Sequence, residues 1–199
     1  MKKLNLLLVL FTFCSLTTSA QSQEIMVAKT ETKLPASKVD FDAFETLTKE
    51  VKEYRKGRLV NLDNFLSYSK VKNTIILDTR SAEMYNRKHV KGAVHLNFSD
   101  FTQTNLRRLI PSADTRILIY CNNNFANYEI LFRTKVSSPK LLGQKPITLA
   151  LNIPTFINLY GYGYKNVYEL ADLVSVFNKV IQFEGTDVIK MNSTTAGRR

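Results

Sequence analysis

Arg116-Ile117-Leu118-Ile119-Tyr120-Cys121-Asn122-Asn123-Asn124-Phe125-Ala126-Asn127 joins a short apolar run to a cysteine and a string of turn-forming residues. The run ending at Tyr120 is apolar and partly β-branched, which predicts a central strand buried on both faces. The pattern returns at Thr74-Ile75-Ile76-Leu77-Asp78 and, more weakly, at Asn166-Val167-Tyr168-Glu169-Leu170, with Leu59-Val60 as a short edge strand. Between these lie helical patterns. Phe41, Phe44, Leu47, Val51 and Tyr54 recur every three or four residues, one face of a helix ending near Gly57. Asn61 or Asp63 can cap a short helix through Ser69. Further helices are predicted over Arg80 to Arg87, Phe101 to Leu109, a segment after Cys121, and Asn152 to Tyr160. Strands alternating with helices predict an α/β domain whose parallel sheet is covered by helices on both faces.

The chain of 199 residues suits one domain, expected from about Val39 to Phe183. Residues 1–20 read as a signal peptide: Lys2 and Lys3, the apolar run Leu6 to Phe11, then Thr17-Thr18-Ser19-Ala20, with cleavage near Ala20 and export to a periplasm or the outside. That run is shorter than the roughly 20 residues that span a bilayer, and Phe13 argues against a lipid anchor on Cys14. Residues 21–38 are polar and aperiodic, a flexible entry segment, and residues 184–199 form a C-terminal tail. The stretch 134–146, with Ser137, Ser138, Pro139, Gly143 and Pro146, cannot continue a helix and reads as an inserted loop.

Without the leader the chain keeps one of its two cysteines, so Cys121 has no intramolecular disulfide partner. Basic residues exceed acidic ones, 28 against 17, in a scatter rather than a dense tract. The scatter favours anionic small molecules or an anionic envelope over nucleic acid. Two histidines and one mature cysteine argue against a dedicated metal site.

Cys121 directly follows a buried strand. Ligands of open α/β sheets collect beyond the carboxyl ends of strands, so this position faces the binding crevice. A tight loop entering a helix turns backbone N–H groups toward a common centre and can lower a thiol pKa. Asparagine suits such a loop because it tolerates left-handed backbone angles. From these residues alone Cys121 is either an inert core thiol or a working one.

A second cluster bears on that choice. The stretch Asp78-Thr79-Arg80-Ser81-Ala82-Glu83-Met84-Tyr85-Asn86-Arg87-Lys88-His89-Val90-Lys91-Gly92-Ala93-Val94-His95-Leu96-Asn97 resembles the rhodanese family, matching it at Asp78, Arg80, Glu83, Tyr85, His89, Val90, Gly92, Ala93 and Leu96. Gly161 to Leu170 is similar to the family's closing strand. The resemblance spans about Val39 to Phe183 and implies a central parallel sheet of about five strands. It implies that Cys121 is the catalytic nucleophile, taking sulfane sulfur from an anionic donor (thiosulfate or polysulfide) and passing it from a persulfide to a small or protein thiol. The backbone amides of Asn122, Asn123, Asn124, Phe125, Ala126 and Asn127 would then cradle the persulfide, with no cofactor.

Asp78, Arg80, Glu83, His89 and Gly92 form the structural part of the motif. Asp78 holds the turn after its strand, His89 bonds backbone, Arg80 and Glu83 pair on a short helix, and Gly92 supplies a backbone angle denied to other residues. His95 is expected in a strand, and Tyr160, Tyr162 and Tyr164 pack a turn before the last strand. The loop departs from the family in carrying no charge and no glycine. Positive charge is instead available from Arg133, in the helix expected after Cys121, and from Lys135, Lys140 and Lys145. Phosphatases of this fold need arginine six residues after the cysteine, where Asn127 stands. A catalytically weak binding or redox-sensing module is the alternative to a sulfurtransferase.

Overall fold

The computed structural model describes residues 34–137 and 146–188. The stretch 1–20 expected to be a signal peptide, residues 21–33, Lys140, Lys145 and the tail beyond 188 lie outside the described residues. The compact unit begins at Asp40. In chain order its elements are α1 (Phe41–Lys56), β1 (Leu59–Val60), α2 (Leu62–Ser69), β2 (Thr74–Asp78), α3 (Ala82–Arg87), β3 (His89–Val90), β4 (Ala93–His95), α4 (Gln103–Leu109), β5 (Arg116–Tyr120), β6 (Phe125–Ala126), β7 (Val136–Ser137), β8 (Ile147–Thr148), α5 (Asn152–Gly161), β9 (Val167–Leu170), β10 (Val174–Ser175) and β11 (Phe183–Glu184).

The helices start where their sequences provide caps. Asp40 Oδ1 accepts from Ala43 N, Asn61 Oδ1 from Asn64 N, and Thr102 Oγ1 from Asn105 N, each satisfying an N–H that the first turn leaves unpaired.

Five strands form one parallel sheet in the order β1-β9-β5-β2-β4. The chain leaves β2 toward β4 on one side and returns to β5 on the other, so the carboxyl ends of β2 and β5 meet where the strand order reverses. There Asp78 and Tyr120 are register partners. Alternating side chains feed two cores. Ile76, Leu118 and Tyr120 face a cluster with Phe65, Phe125 and Phe132, whereas Leu77, Ile117 and Ile119 face Val51 of α1, Leu106 of α4 and Phe156 of α5. Each fully buried aromatic or branched side chain contributes roughly 1.5–3 kcal/mol. Both faces of the sheet are therefore covered, as its near-continuous apolar strands require. No helix among the described residues is long and apolar enough to cross a membrane.

Two expectations need correction. The segment after Cys121 is not an α-helix: Asn122–Asn124 make one 3-10 turn and the chain then runs extended through β6, which pairs with β10. Phe125 at the start of β6 packs on Tyr120, Phe132 and Phe183, and that aromatic seat holds the backbone extended. Nor does the domain end at Phe183. Glu184 lies in β11, antiparallel to β3, and Asp187 pairs with Arg87 at 3.0 Å. Gly185 follows at φ +126°, with the Arg87 carbonyl so close that a Cβ would lie 2.4 Å from its oxygen.

Candidate functional site

Cys121 leaves the end of β5 with an extended backbone, and the turn after it is clamped from three directions. Asn124 is the central clamp. Its Oδ1 accepts from Cys121 N and Asn152 Nδ2, both at 2.9 Å, while its Nδ2 donates to Leu170 O at 2.7 Å and Asp172 O at 3.3 Å. Asn123 holds the turn to the β7 side: its Oδ1 accepts from Lys135 N at 2.9 Å and its Nδ2 donates to Lys135 O at 3.3 Å.

Leu151 N, just before α5, donates to Cys121 Sγ at 3.3 Å, and the nearby backbone amides of Asn122 and Asn123 also favour the charged form of the sulfur. Three amides and the Lys135 charge thus favour a thiolate, but desolvation is larger: the residue is 1% exposed, and burial pushes the thiol pKa up. The lowered pKa expected at a helix start is therefore corrected; a 3-10 turn of three residues supplies no helix N-terminus, and the residue is buried.

The expected cradle of amides from Asn122 to Asn127 is narrower than the sequence suggested. The Asn124 amide donates to Cys121 O at 3.1 Å and the Phe125 amide to Asn122 O. Phe125 is a core side chain, Ala126 O accepts from Val176 N in the sheet with β10, and Asn127 sits at φ +70° with Nδ2 on Ser175 Oγ.

Beneath the turn lies a buried polar knot. Arg80 reaches both Asp78 carboxylate oxygens, with Nη2 to Oδ2 at 2.7 Å, and also donates to Lys88 O at 2.7 Å and Leu131 O at 3.3 Å. Tyr120 OH donates to Asp78 Oδ2 at 2.5 Å and accepts from Val90 N at 3.1 Å. Asp78 Oδ1 also accepts from Arg80 N, closing the turn after β2. The expected Arg80–Glu83 pair is corrected: Arg80 points inward to Asp78, and exposed Glu83 lies 3.7 Å from Arg87 one turn along α3. Burial raises the Tyr120 pKa well above its usual range, and the Asp78 carboxylate reinforces the shift.

Residues 61–172 match the rhodanese-like domain, more than half of the chain. The chain belongs to the rhodanese-like domain family. No curated protein sequence matches it. Among solved structures it is similar to the BH2092 protein from Bacillus halodurans, at 17% identity over 65% of this chain and 75% of that one, with a TM-score of 0.37. It is also similar to EanB T414V in complex with hercynine, at 17% identity over 71% of this chain and 32% of that one, TM-score 0.43. A third similarity is to rhodanese with anions from E. coli, at 14% identity over 57% of this chain and 99% of that one, TM-score 0.32. The chain thus spans about a third of EanB.

In this rhodanese-like domain the remaining motif residues lie on the side of β3 and β4. His89 Nδ1 donates to Tyr85 O at 2.7 Å and His95 Nε2 to Arg80 O at 2.8 Å, with the Tyr85 ring stacked on both imidazoles. Gly92 turns the chain between β3 and β4 at φ +78°. Tyr160 and Tyr164 are buried, and Tyr162 OH donates to Phe101 O at 3.1 Å.

Two clefts flank the turn that follows Cys121. Asn123 and Asn124 line one of about 330 Å³, walled by the bidentate Arg55–Glu169 pair; Asn122 lines another of about 400 Å³, with Arg87, Arg133 and Lys135. Sequence reasoning missed Leu151, Asn152 and Tyr120. Only Tyr120 left a signal, as a hydroxyl at the end of a strand whose parallel partner ends in Asp78.

Proposed function

We propose that this rhodanese-like protein is an exported sulfane-sulfur carrier or sulfurtransferase that works through a Cys121 persulfide. The observation that carries the proposal is the Leu151 amide donating to the Cys121 sulfur at 3.3 Å, with the Asn122 and Asn123 amides beside it also favouring negative charge there. Dipoles fixed in advance stabilise negative charge without reorganising during reaction, which a persulfide anion needs. The family membership supports the same chemistry, and the leader-like sequence Lys2 to Ala20 supports export.

In the first step the Cys121 thiol loses its proton to solvent and the thiolate attacks the sulfane sulfur of thiosulfate. A new S–S bond forms, the old one breaks, and sulfite leaves with the electron pair. In the second step an acceptor thiolate attacks the outer sulfur, and Cys121 leaves as thiolate while the acceptor becomes the persulfide. No external oxidant or reductant enters, and one difficult transfer becomes two displacements at one nucleophile.

Burial of the sulfur favours a second reading, a binding or redox-sensing module with little turnover. Intact mass after incubation with thiosulfate or polysulfide separates the two. A gain of one sulfur atom on the wild type and none on Cys121→Ala supports the carrier; no adduct with either donor overturns it and leaves the module.

A further inference from the structure

The face of the sheet that carries Ile76 is covered by α2 on one side and by the segment leading into β11 on the other, and the two leave a cleft of about 430 Å³ between them. None of residues 121–127 lines it, so it lies apart from Cys121. Its apolar lining is Ile76 and Val90, both buried in the core, with Leu66 of α2 and Val180, a branched side chain left 62% exposed. A cleft of this volume, with apolar walls and a few placed polar groups, is of the kind that takes organic ligands.

The charges of this cleft are sorted by sign. Lys70 caps the end of α2 and Lys91 precedes β4, so both stand where the parallel strands β2 and β4 begin. Asp63 stands in the first turn of α2, just after β1 has reached its carboxyl end, and from Asp63 to Lys70 the helix rises about 10 Å. All three side chains are exposed, and none forms an ion pair among the described residues. The two lysines call for a carboxylate and Asp63 for an ammonium group, with an apolar body between them. The spacing sets the length, since about 10 Å is the reach of roughly three extended residues. An inorganic oxyanion would leave Asp63 and the apolar lining without partners, and a fatty acid anchored on the lysines would lay its hydrocarbon end against the Asp63 carboxylate.

We infer that the cleft between α2 and β3 binds a short apolar peptide by its two free ends, the carboxylate on Lys70 and Lys91, the ammonium group on Asp63, and the side chains on Leu66, Ile76, Val90 and Val180. The Gln182 side chain at the rim brings both donors and an acceptor for the peptide groups in between. The site is independent of the chemistry at Cys121.

Calorimetric titration of the full chain with trileucine, N-acetyl-trileucine and trileucinamide tests both ends on the wild type alone, so a variant that fails to fold leaves the test intact. The free peptide should bind saturably, and blocking either end should weaken binding by about fivefold, the upper range for one ion pair at an exposed rim. Asp63→Asn should abolish the preference for a free amino end and keep that for a free carboxylate; Lys70→Gln combined with Lys91→Gln should do the converse. Cys121→Ala should bind trileucine as the wild type does. Absence of saturable binding overturns the inference, and so does equal binding of the three peptides. Preferences for the free ends that survive the Asp63 and lysine substitutions, or binding lost in Cys121→Ala, would place the peptide elsewhere and overturn it as well.

Discussion

At the scale of single residues, the sulfur of Cys121 is balanced between three amides that favour its thiolate and a burial that opposes it, and the opposition wins at rest. Alkylation by iodoacetamide should therefore rise with pH along a curve displaced above that of an ordinary cysteine. A curve displaced below it would contradict the balance. Leu151 permits a direct probe because its φ of −71° already suits proline, which has no N–H to donate. Leu151→Pro should slow alkylation at neutral pH by about tenfold or more, since a hydrogen bond to a charged group contributes about 1.5–3 kcal/mol. The knot under the turn is a separate matter of stability. Asp78 is wholly buried against Arg80, and Asp78→Asn leaves the guanidinium without its counter-charge. Denaturant unfolding should show a loss of about 3–5 kcal/mol, against about 1–3 for Tyr120→Phe, which removes one hydroxyl between Asp78 and Val90.

At the scale of elements, the strands and most helices were legible because each is decided locally. Thr74 to Asp78 and Arg116 to Tyr120 carry unbroken apolar runs that only a doubly covered sheet accommodates, and Asn61 announces its helix by its own cap. The segment after Cys121 was misread because distant residues decide it. Phe125 is seated by Phe183, and Asn124 is held by Leu170 and Asp172, none of which is visible from the local pattern. The same distance explains why Cys121 and its neighbours were legible as a site while Leu151 was not: its amide reaches the sulfur across 30 positions of chain. Asn124 and Asn127, alike in sequence, should then behave differently. Asn124→Ala strands four partners at once and should cost about 2–4 kcal/mol in denaturant unfolding. Asn127→Gly, at φ +70°, should be nearly neutral, whereas Asn127→Ala should cost about 1–2 kcal/mol. Equal costs at 124 and 127 would show that the clamp is not what holds the turn.

At the scale of the molecule, the end of the described chain is coupled to the site through one aromatic cluster. β11 lies on β3, Phe183 packs on Phe125 and Phe132, and Phe125 closes the turn that carries Cys121. Packed side chains therefore run from the C-terminal strand to Phe125, the residue that ends the turn after Cys121. Gly185 is the position at which this coupling can be loosened with least chemical change. Its φ of +126° and the 2.4 Å approach of an added Cβ to the Arg87 carbonyl leave no room for alanine unless the strand moves. Gly185→Ala should thus detach β11 in part, at a cost of about 2 kcal/mol, which lowers the melting temperature by about 4–8 °C in a domain of this size. Because Phe125 ends the turn that carries Cys121, loosening its aromatic seat should also expose the sulfur, so iodoacetamide labelling of Cys121 should accelerate in step with the fall in melting temperature. Destabilisation without faster labelling would mean that the strand braces the fold but leaves the turn's burial to Asn124 alone.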